Sequence, residues 1–181
     1  MNNPIYLVIT MIIASLILYI LTSMNISLSD KLFENSALTI FYKQNKTAVE
    51  VMDYYLNKMG YKSKSNPLLK IDVNDIKFLG DVDDDGVIDT VVIKKGNLSQ
   101  YSQNPNDYEL ILSINGSESK ILPAGLIDLT FEYLDSKGDS TSEILLVKQI
   151  RYSLLVESES KLDGSYLQEL YTNLIKPKNL N

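Results

Sequence analysis

The polarity of this chain changes abruptly at residue 30. Residues 1 to 29 contain no Asp, Glu, Lys or Arg, and Ile5 to Met24 is mostly Ile, Leu, Val, Met and Tyr. About twenty such residues, rising 1.5 Å each as a helix, match a hydrocarbon core of roughly 30 Å, so the pattern predicts a membrane-spanning helix. A cleaved secretory signal would need a basic start, an apolar core of ~7–15 residues and a small-x-small cleavage site. Met1 to Pro4 have no basic side chain, the apolar run is longer, and Leu21, Thr22, Ser23 and Met24 make a poor cleavage site. An uncleaved anchor is the expectation. Lys31 is flanked by Asp30 and Glu34, so charge does not orient the span.

From Lys31 to Met59 there is no Pro or Gly, and apolar residues recur at helical spacing: Leu38, Phe41, Ala48, Met52, Tyr55, Leu56 and Met59. Lys43, Lys46, Glu50, Asp53, Asn57 and Lys58 fall on the other side, which predicts an amphipathic helix. Gly60 stands where a helix end takes a left-handed residue. Asn25, Ser27 and Ser29 lower helix propensity between anchor and stripe without forcing a break. Continuous from Pro4 to Met59, the helix would be about 80 Å long.

After the polar stretch Tyr61 to Pro67 the period shortens to that of strands. Candidates are 74–79, 87–95, 108–115, 120–122, 126–134, 144–157 and 166–175, separated by Gly, Asn, Asp, Ser and Pro clusters. Leu129, Phe131 and Tyr133 alternate with Asp128, Thr130 and Glu132, as in a strand buried on one face. Gly96 to Asp107 reads as a surface loop. Lys176, Lys178 and Asn179-Leu180-Asn181 read as a frayed end. The expected fold is α+β: a long N-terminal helix, transmembrane then amphipathic, packed on a mostly antiparallel sheet of roughly five to seven strands. Its parts are the span at 1–29, the helical continuation at 30–60, and a β-rich extracytoplasmic part at 61–181.

Between two strand candidates lies Gly80-Asp81-Val82-Asp83-Asp84-Asp85-Gly86-Val87-Ile88-Asp89. Asp81, Asp83 and Asp85 fall at positions 1, 3 and 5 of a calcium loop, Gly86 at 6, Val87 at 7, where a backbone carbonyl serves, and Asp89 at 9. Position 12 is Val92 rather than the bidentate Glu of an EF-hand, and Val91-Val92-Ile93 makes the exit a strand. Ca²⁺ in a strand-loop-strand hairpin is the expectation. Four carboxylates in register are more than a turn requires, and without a cation they would repel one another.

Composition narrows the rest. Net charge is −6 and pI near 4.7, with Arg151 as the only Arg and the Lys residues scattered, which argues against a nucleic-acid partner. There is no Cys and no His. Their absence excludes thiol nucleophiles, zinc thiolate sites and every His-based catalytic arrangement. Carboxylates such as Glu157 and Glu159 read as a solvated strand face, so no enzymatic role is expected.

The order of these parts resembles type IV pilin-like proteins, most of all the minor pilins and the J-type minor pseudopilins of type II secretion. Met1 to Met59 stands where those proteins have their long N-terminal helix, and Val49 through Met52-Asp53-Tyr54-Tyr55-Leu56-Asn57-Lys58-Met59-Gly60-Tyr61 resembles its ending. Ile76-Lys77-Phe78-Leu79-Gly80-Asp81 through Asp89-Thr90-Val91-Val92 is similar to the family's strand, Asp-rich turn and strand. Leu129 to Gly138 with Ile150 to Leu154 resembles its paired strands, and Pro177-Lys178-Asn179-Leu180 its ending. The resemblance implies a single-pass protein of a bacterial inner membrane, with its C-terminal domain extracytoplasmic, periplasmic or in a surface filament. Its partners would be other pilin-like subunits or pilus and secretion assembly components. The family's basic leader ending in Gly, and the Glu five residues into the mature chain, have no counterpart in this sequence. The expectation is therefore either a subunit that joins without processing or a pilin-fold protein that stays in the bilayer. A membrane-tethered extracytoplasmic module for calcium-dependent binding or adhesion is the alternative.

Overall fold

The computed structural model describes residues 4–63, 66–100, 102–162 and 164–180. Met1 to Asn3, Lys64, Ser65, Tyr101, Asp163 and Asn181, which belong to segments named above, lie outside them. The chain divides into two compact units, Met1–Ile40 and Phe41–Asn181. Helix α1 runs Pro4–Asn57, and Asn25, Ser27 and Ser29 do not interrupt it.

In the first unit the apolar side chains from Ile5 to Leu28 are exposed, and α1 is long and apolar enough to cross a membrane. Three of its hydroxyls bond within the helix: Thr10, Ser15 and Thr22 donate to the carbonyls of Leu7, Ile12 and Leu18 at 2.9, 2.8 and 2.8 Å. That is what a segment in hydrocarbon needs, where no water is available to take those bonds.

In the second unit seven strands form one antiparallel sheet in sequential order. They are β1 (Leu68–Ile71), β2 (Asp75–Gly80), β3 (Asp89–Leu98), β4 (Tyr108–Ile114), β5 (Ser117–Leu134), β6 (Gln149–Glu157) and β7 (Gln168–Ile175). Period-2 alternation sends one face inward: Ile76 and Phe78, Val91 and Ile93, Leu110 and Leu112, Leu129, Phe131 and Tyr133, and Ile150, Tyr152 and Leu154. The last turns of α1 cover that face with Ala48, Met52 and Leu56, and Met59 follows beyond the helix end; Ala48 is 1% exposed and the other three 0%. Phe41 packs in a smaller cluster with Val156, Leu167 and Tyr171. One polar contact fixes the helix on the sheet. Tyr152 Oη donates to Asp53 Oδ1 at 2.6 Å, and Asn173 Nδ2 donates to both oxygens of Asp53 at 2.9 and 3.0 Å.

The structure differs from the sequence pattern in five places. β1 was not among the candidates, because only Leu68 of its four residues is fully buried and so no alternation shows. The segments 120–122 and 126–134 belong to a single 18-residue strand, β5. Pro123 and Gly125 lie in an irregularity of the β4–β5 pairing, between Ile121 and Leu126, where Leu126 pairs with both β4 and β6, and such an irregularity tolerates Pro. The segment 144–157 is a short 3-10 turn, Ile144–Leu146, followed by β6. The C-terminal tail is docked rather than frayed: Pro177 is buried and Leu180, 8% exposed, joins the core. In addition, Gly96 to Leu98 extend β3 rather than open the loop.

Replacing Met52 by Ala removes an anchor from a dry interface and is expected to cost about 2–5 kcal/mol. Asp53→Ala would leave the buried Tyr152 hydroxyl without its acceptor and cost about 1–3 kcal/mol. Urea unfolding of the full chain in detergent micelles, followed by tyrosine fluorescence, measures both.

Candidate metal centre

The acidic loop is held by backbone packing before any side chain acts. Gly80 is the last residue of β2 and pairs with Asp89, the first of β3, so residues 81 to 88 bulge from a closed neck. That neck touches the end of α1 backbone to backbone: Gly60 N–H donates to Leu79 O at 2.8 Å, and Asp81 N–H donates to Tyr61 O at 3.0 Å. A Cβ on Gly80 would lie 2.4 Å from Lys58 O, so only glycine permits this approach. Gly60, at φ +74°, has the left-handed conformation expected at the helix stop; a Cβ there would also meet Asn179 O at 2.7 Å. Tyr54 Oη adds a bond to Val82 O at 2.6 Å.

Within the bulge, carboxylates of Asp81, Asp83 and Asp89 converge, each offering an oxygen within 4.8 Å of the others. Asp81 is fully buried and Asp89 is 5% exposed, whereas Asp83 faces solvent. Asp81 Oδ2 accepts from Gly86 N–H at 3.0 Å and from Lys62 Nζ at 2.6 Å. Its Oδ1 is buried without a hydrogen-bond partner. Asp89 Oδ2 accepts from Val82 N–H at 3.1 Å, and Asp89 Oδ1 from Asn115 Nδ2 at 2.7 Å. Asp85 lies outside the converging group; its Oδ1 accepts from Val87 N–H at 2.7 Å, which shapes the turn. Val87 has an exposed side chain. Of the residues expected from spacing, the structure thus brings together positions 1, 3 and 9 of the loop.

Two groups that spacing did not single out complete the site. Lys58 and Lys62, beyond the helix end, face the loop: Lys58 Nζ is 2.5 Å from Asp84 Oδ2, and Lys62 Nζ also lies 3.8 Å from Asp84 Oδ1. The Lys62 ammonium holds the Asp81 carboxyl below its usual range, helped by the Gly86 N–H, and Lys62 is raised in turn. Asn115, in the Asn115-Gly116 turn joining β4 to β5, orients Asp89 while accepting Thr90 N–H at 2.9 Å. Tyr55 nearby is raised, chiefly by burial and further by Tyr54, Asp83 and Asp89.

The donor set is carboxylate only, which suits a hard, oxygen-seeking divalent cation such as Ca²⁺ rather than a thiolate- or imidazole-seeking metal. An unpartnered, fully buried Asp81 oxygen fits such an ion. A buried acceptor of this kind ordinarily costs ~1–3 kcal/mol, so an ion that satisfied it would stabilise the fold.

A second pair of buried carboxylates lies apart from this group. Asp107, 2% exposed, accepts from the Ser102 hydroxyl through Oδ2 and leaves Oδ1 buried without a partner. Glu157 accepts from Asn104 Nδ2 at 2.8 Å and from Gln168 Nε2 at 2.5 Å. Burial pushes Asp107 up to about 6 against the Ser102 bond, with Glu159 and Glu157 adding to the rise. A folded-state value above the unfolded one favours the fold while the group is protonated. Its contribution is full below about pH 4 and is lost as pH rises through about 6. Asp107→Asn should remove that slope and raise stability at pH 8 by on the order of 1 kcal/mol. Thermal melts from pH 4 to 8 on both proteins measure it.

No family model, no curated protein and no solved structure matches this chain.

Proposed function

We propose that this protein is a membrane-anchored, pilin-like structural subunit or accessory of a type IV pilus or type II secretion machine. Its extracytoplasmic sheet domain carries a Ca²⁺-binding hairpin loop at Asp81, Asp83 and Asp89, and its role is assembly rather than catalysis. The observation that carries the reading is one continuous helix, Pro4–Asn57, that serves two environments. Its first part presents exposed apolar side chains suited to a bilayer, and its last turns close the core of an antiparallel sheet. This economy of one helix for anchor and core is what the resemblance in sequence order implies. The calcium part is supported separately, by the convergence of three carboxylates and the unpartnered Asp81 Oδ1.

Calcium is tested by thermal melts of the full chain in detergent micelles. An ion bound only by the folded state raises stability, by about 2.7 kcal/mol at a hundred times Kd. Asp81→Asn should lose that response, and absence of any shift at millimolar calcium in the wild-type protein would rule the ion out.

Assembly and orientation are tested with engineered cysteines, because the chain has none of its own. Ser117→Cys, on the exposed β4–β5 turn, should be labelled by a membrane-impermeant maleimide in intact spheroplasts. Tyr42→Cys, on an exposed helix position, should form crosslinks to other pilin-like chains when assembly proceeds. Protection of residue 117 in spheroplasts would reverse the orientation; labelling without any crosslink would favour a solitary tethered module.

A further inference from the structure

The Lys62 ammonium makes the strongest electrostatic contact with the proposed metal centre, and it comes from outside the loop. Asp81 is fully buried, so its charge must be matched nearby, and Lys62 Nζ at 2.6 Å matches it. The side chain of Lys62 is itself 42% exposed, so this ammonium keeps access to water when it leaves the carboxylate. Lys62 reaches the loop from a left-handed backbone conformation, φ +57°, which is unfavourable for a non-glycine residue. The turn is closed on both sides, Tyr61 N–H donating to Lys58 O at 3.0 Å and Ser63 N–H to Gly60 O at 3.1 Å. Asp81 keeps its other oxygen, Oδ1, buried and unpartnered, so the ammonium satisfies only half of the carboxylate.

We infer that Lys62 is a tethered competitor for the cation site, an internal monovalent charge that holds the acidic hairpin together when the divalent ion is scarce and lowers the affinity for that ion. The inference rests on the calcium reading above and specifies its regulation. A positive charge at 2.6 Å from a ligand oxygen disfavours a second positive charge on the same carboxylate. Lys58 has a different role. It pairs with Asp84, which lies outside the converging group, and should influence affinity far less. The consequence is a site tuned to concentrated rather than trace calcium, with a fold that persists in its absence. Exchange of ammonium for ion at Asp81 would also release the turn that follows α1.

The test is isothermal calorimetry and thermal melting of the full chain in detergent micelles, with Ca²⁺ as the titrant, on the wild-type protein and on Lys62→Gln, Lys62→Arg and Lys58→Gln. The expected result is that Lys62→Gln binds roughly tenfold more tightly, melts lower in chelator, and gains more from calcium than the wild-type protein. Lys62→Arg and Lys58→Gln should stay within about threefold of wild type. As a check that needs no variant, acylation of the Lys62 amine in the wild-type protein, read by mass spectrometry, should quicken when calcium is added. Wild-type binding with an unchanged or weaker Lys62→Gln, or with an amine whose reactivity does not move, overturns the competitor role and leaves the calcium reading standing. No calcium heat in either protein overturns the calcium reading, and the competitor role with it.

Discussion

The dry seam between the last turns of α1 and the inner face of the sheet is the interaction on which the rest of the second unit depends. Ala48, Met52 and Leu56 lie at successive i, i+4 positions, and each is almost entirely removed from water. At roughly 25 cal/mol per Å² of apolar area, such a stripe supplies several kcal/mol, enough to fix one helix on one sheet face. A sheet of sequential hairpins exposes both faces until something covers one of them. Tyr152 and Asn173 then give that cover a register, because their bonds to Asp53 are made only when the helix sits at one height along β6 and β7.

The acidic loop inherits its position from that seam. Once Leu56 and Met59 are docked, Gly60 and Gly80 bring two backbones into contact, and Asp81 follows directly from the strand end. The loop therefore opens beside the C-terminal end of a helix, where the carbonyl dipole repels acidic groups and attracts cations. Lys58 and Lys62 occupy that place, and they face the loop carboxylates as well. A positively charged residue after a helix is ordinary; Lys62 is set apart by reaching a buried aspartate from a left-handed turn.

Most of the fold was legible because its signals are local. A charge-free run, a helical stripe ending in Gly60, and the alternation of Leu129, Phe131 and Tyr133 each depend on neighbours within a few residues, and each element stands in the structure as read. What could not be read depends on distant chain. β1 is a short edge strand whose pairing with β2 defines it, and β5 is one strand because β4 and β6 hold its two halves. The docked tail is legible only from the place it fills beside Gly60. The candidate site divides in the same way. Spacing located Asp81, Asp83 and Asp89, and it also named Asp85, whose carboxylate turns to the backbone of Val87. Lys62 and Asn115 escaped, being 19 and 26 residues from the aspartates they bond. Charge balance was the available clue to Lys62: a loop with five Asp followed a helix end with Lys on either side of Gly60-Tyr61.

Two buried aspartates, Asp81 and Asp107, meet the cost of desolvation in opposite ways. Asp81 is surrounded by charge and donors, Lys62 and the Gly86 N–H, that keep it ionised. Asp107 has a hydroxyl partner and carboxylate neighbours, so burial raises it and a proton is its natural companion near pH 6. Both retain an unpartnered oxygen, yet only Asp81 stands in a converging group of three carboxylates. A carboxylate held ionised beside two others is the arrangement that the proposed divalent cation would use. Asp107, raised to about 6, neutralises itself by taking a proton beside Glu157 and Glu159, while Asn104 ties its loop to the end of β6 by donating to Glu157 and to Ser158 O.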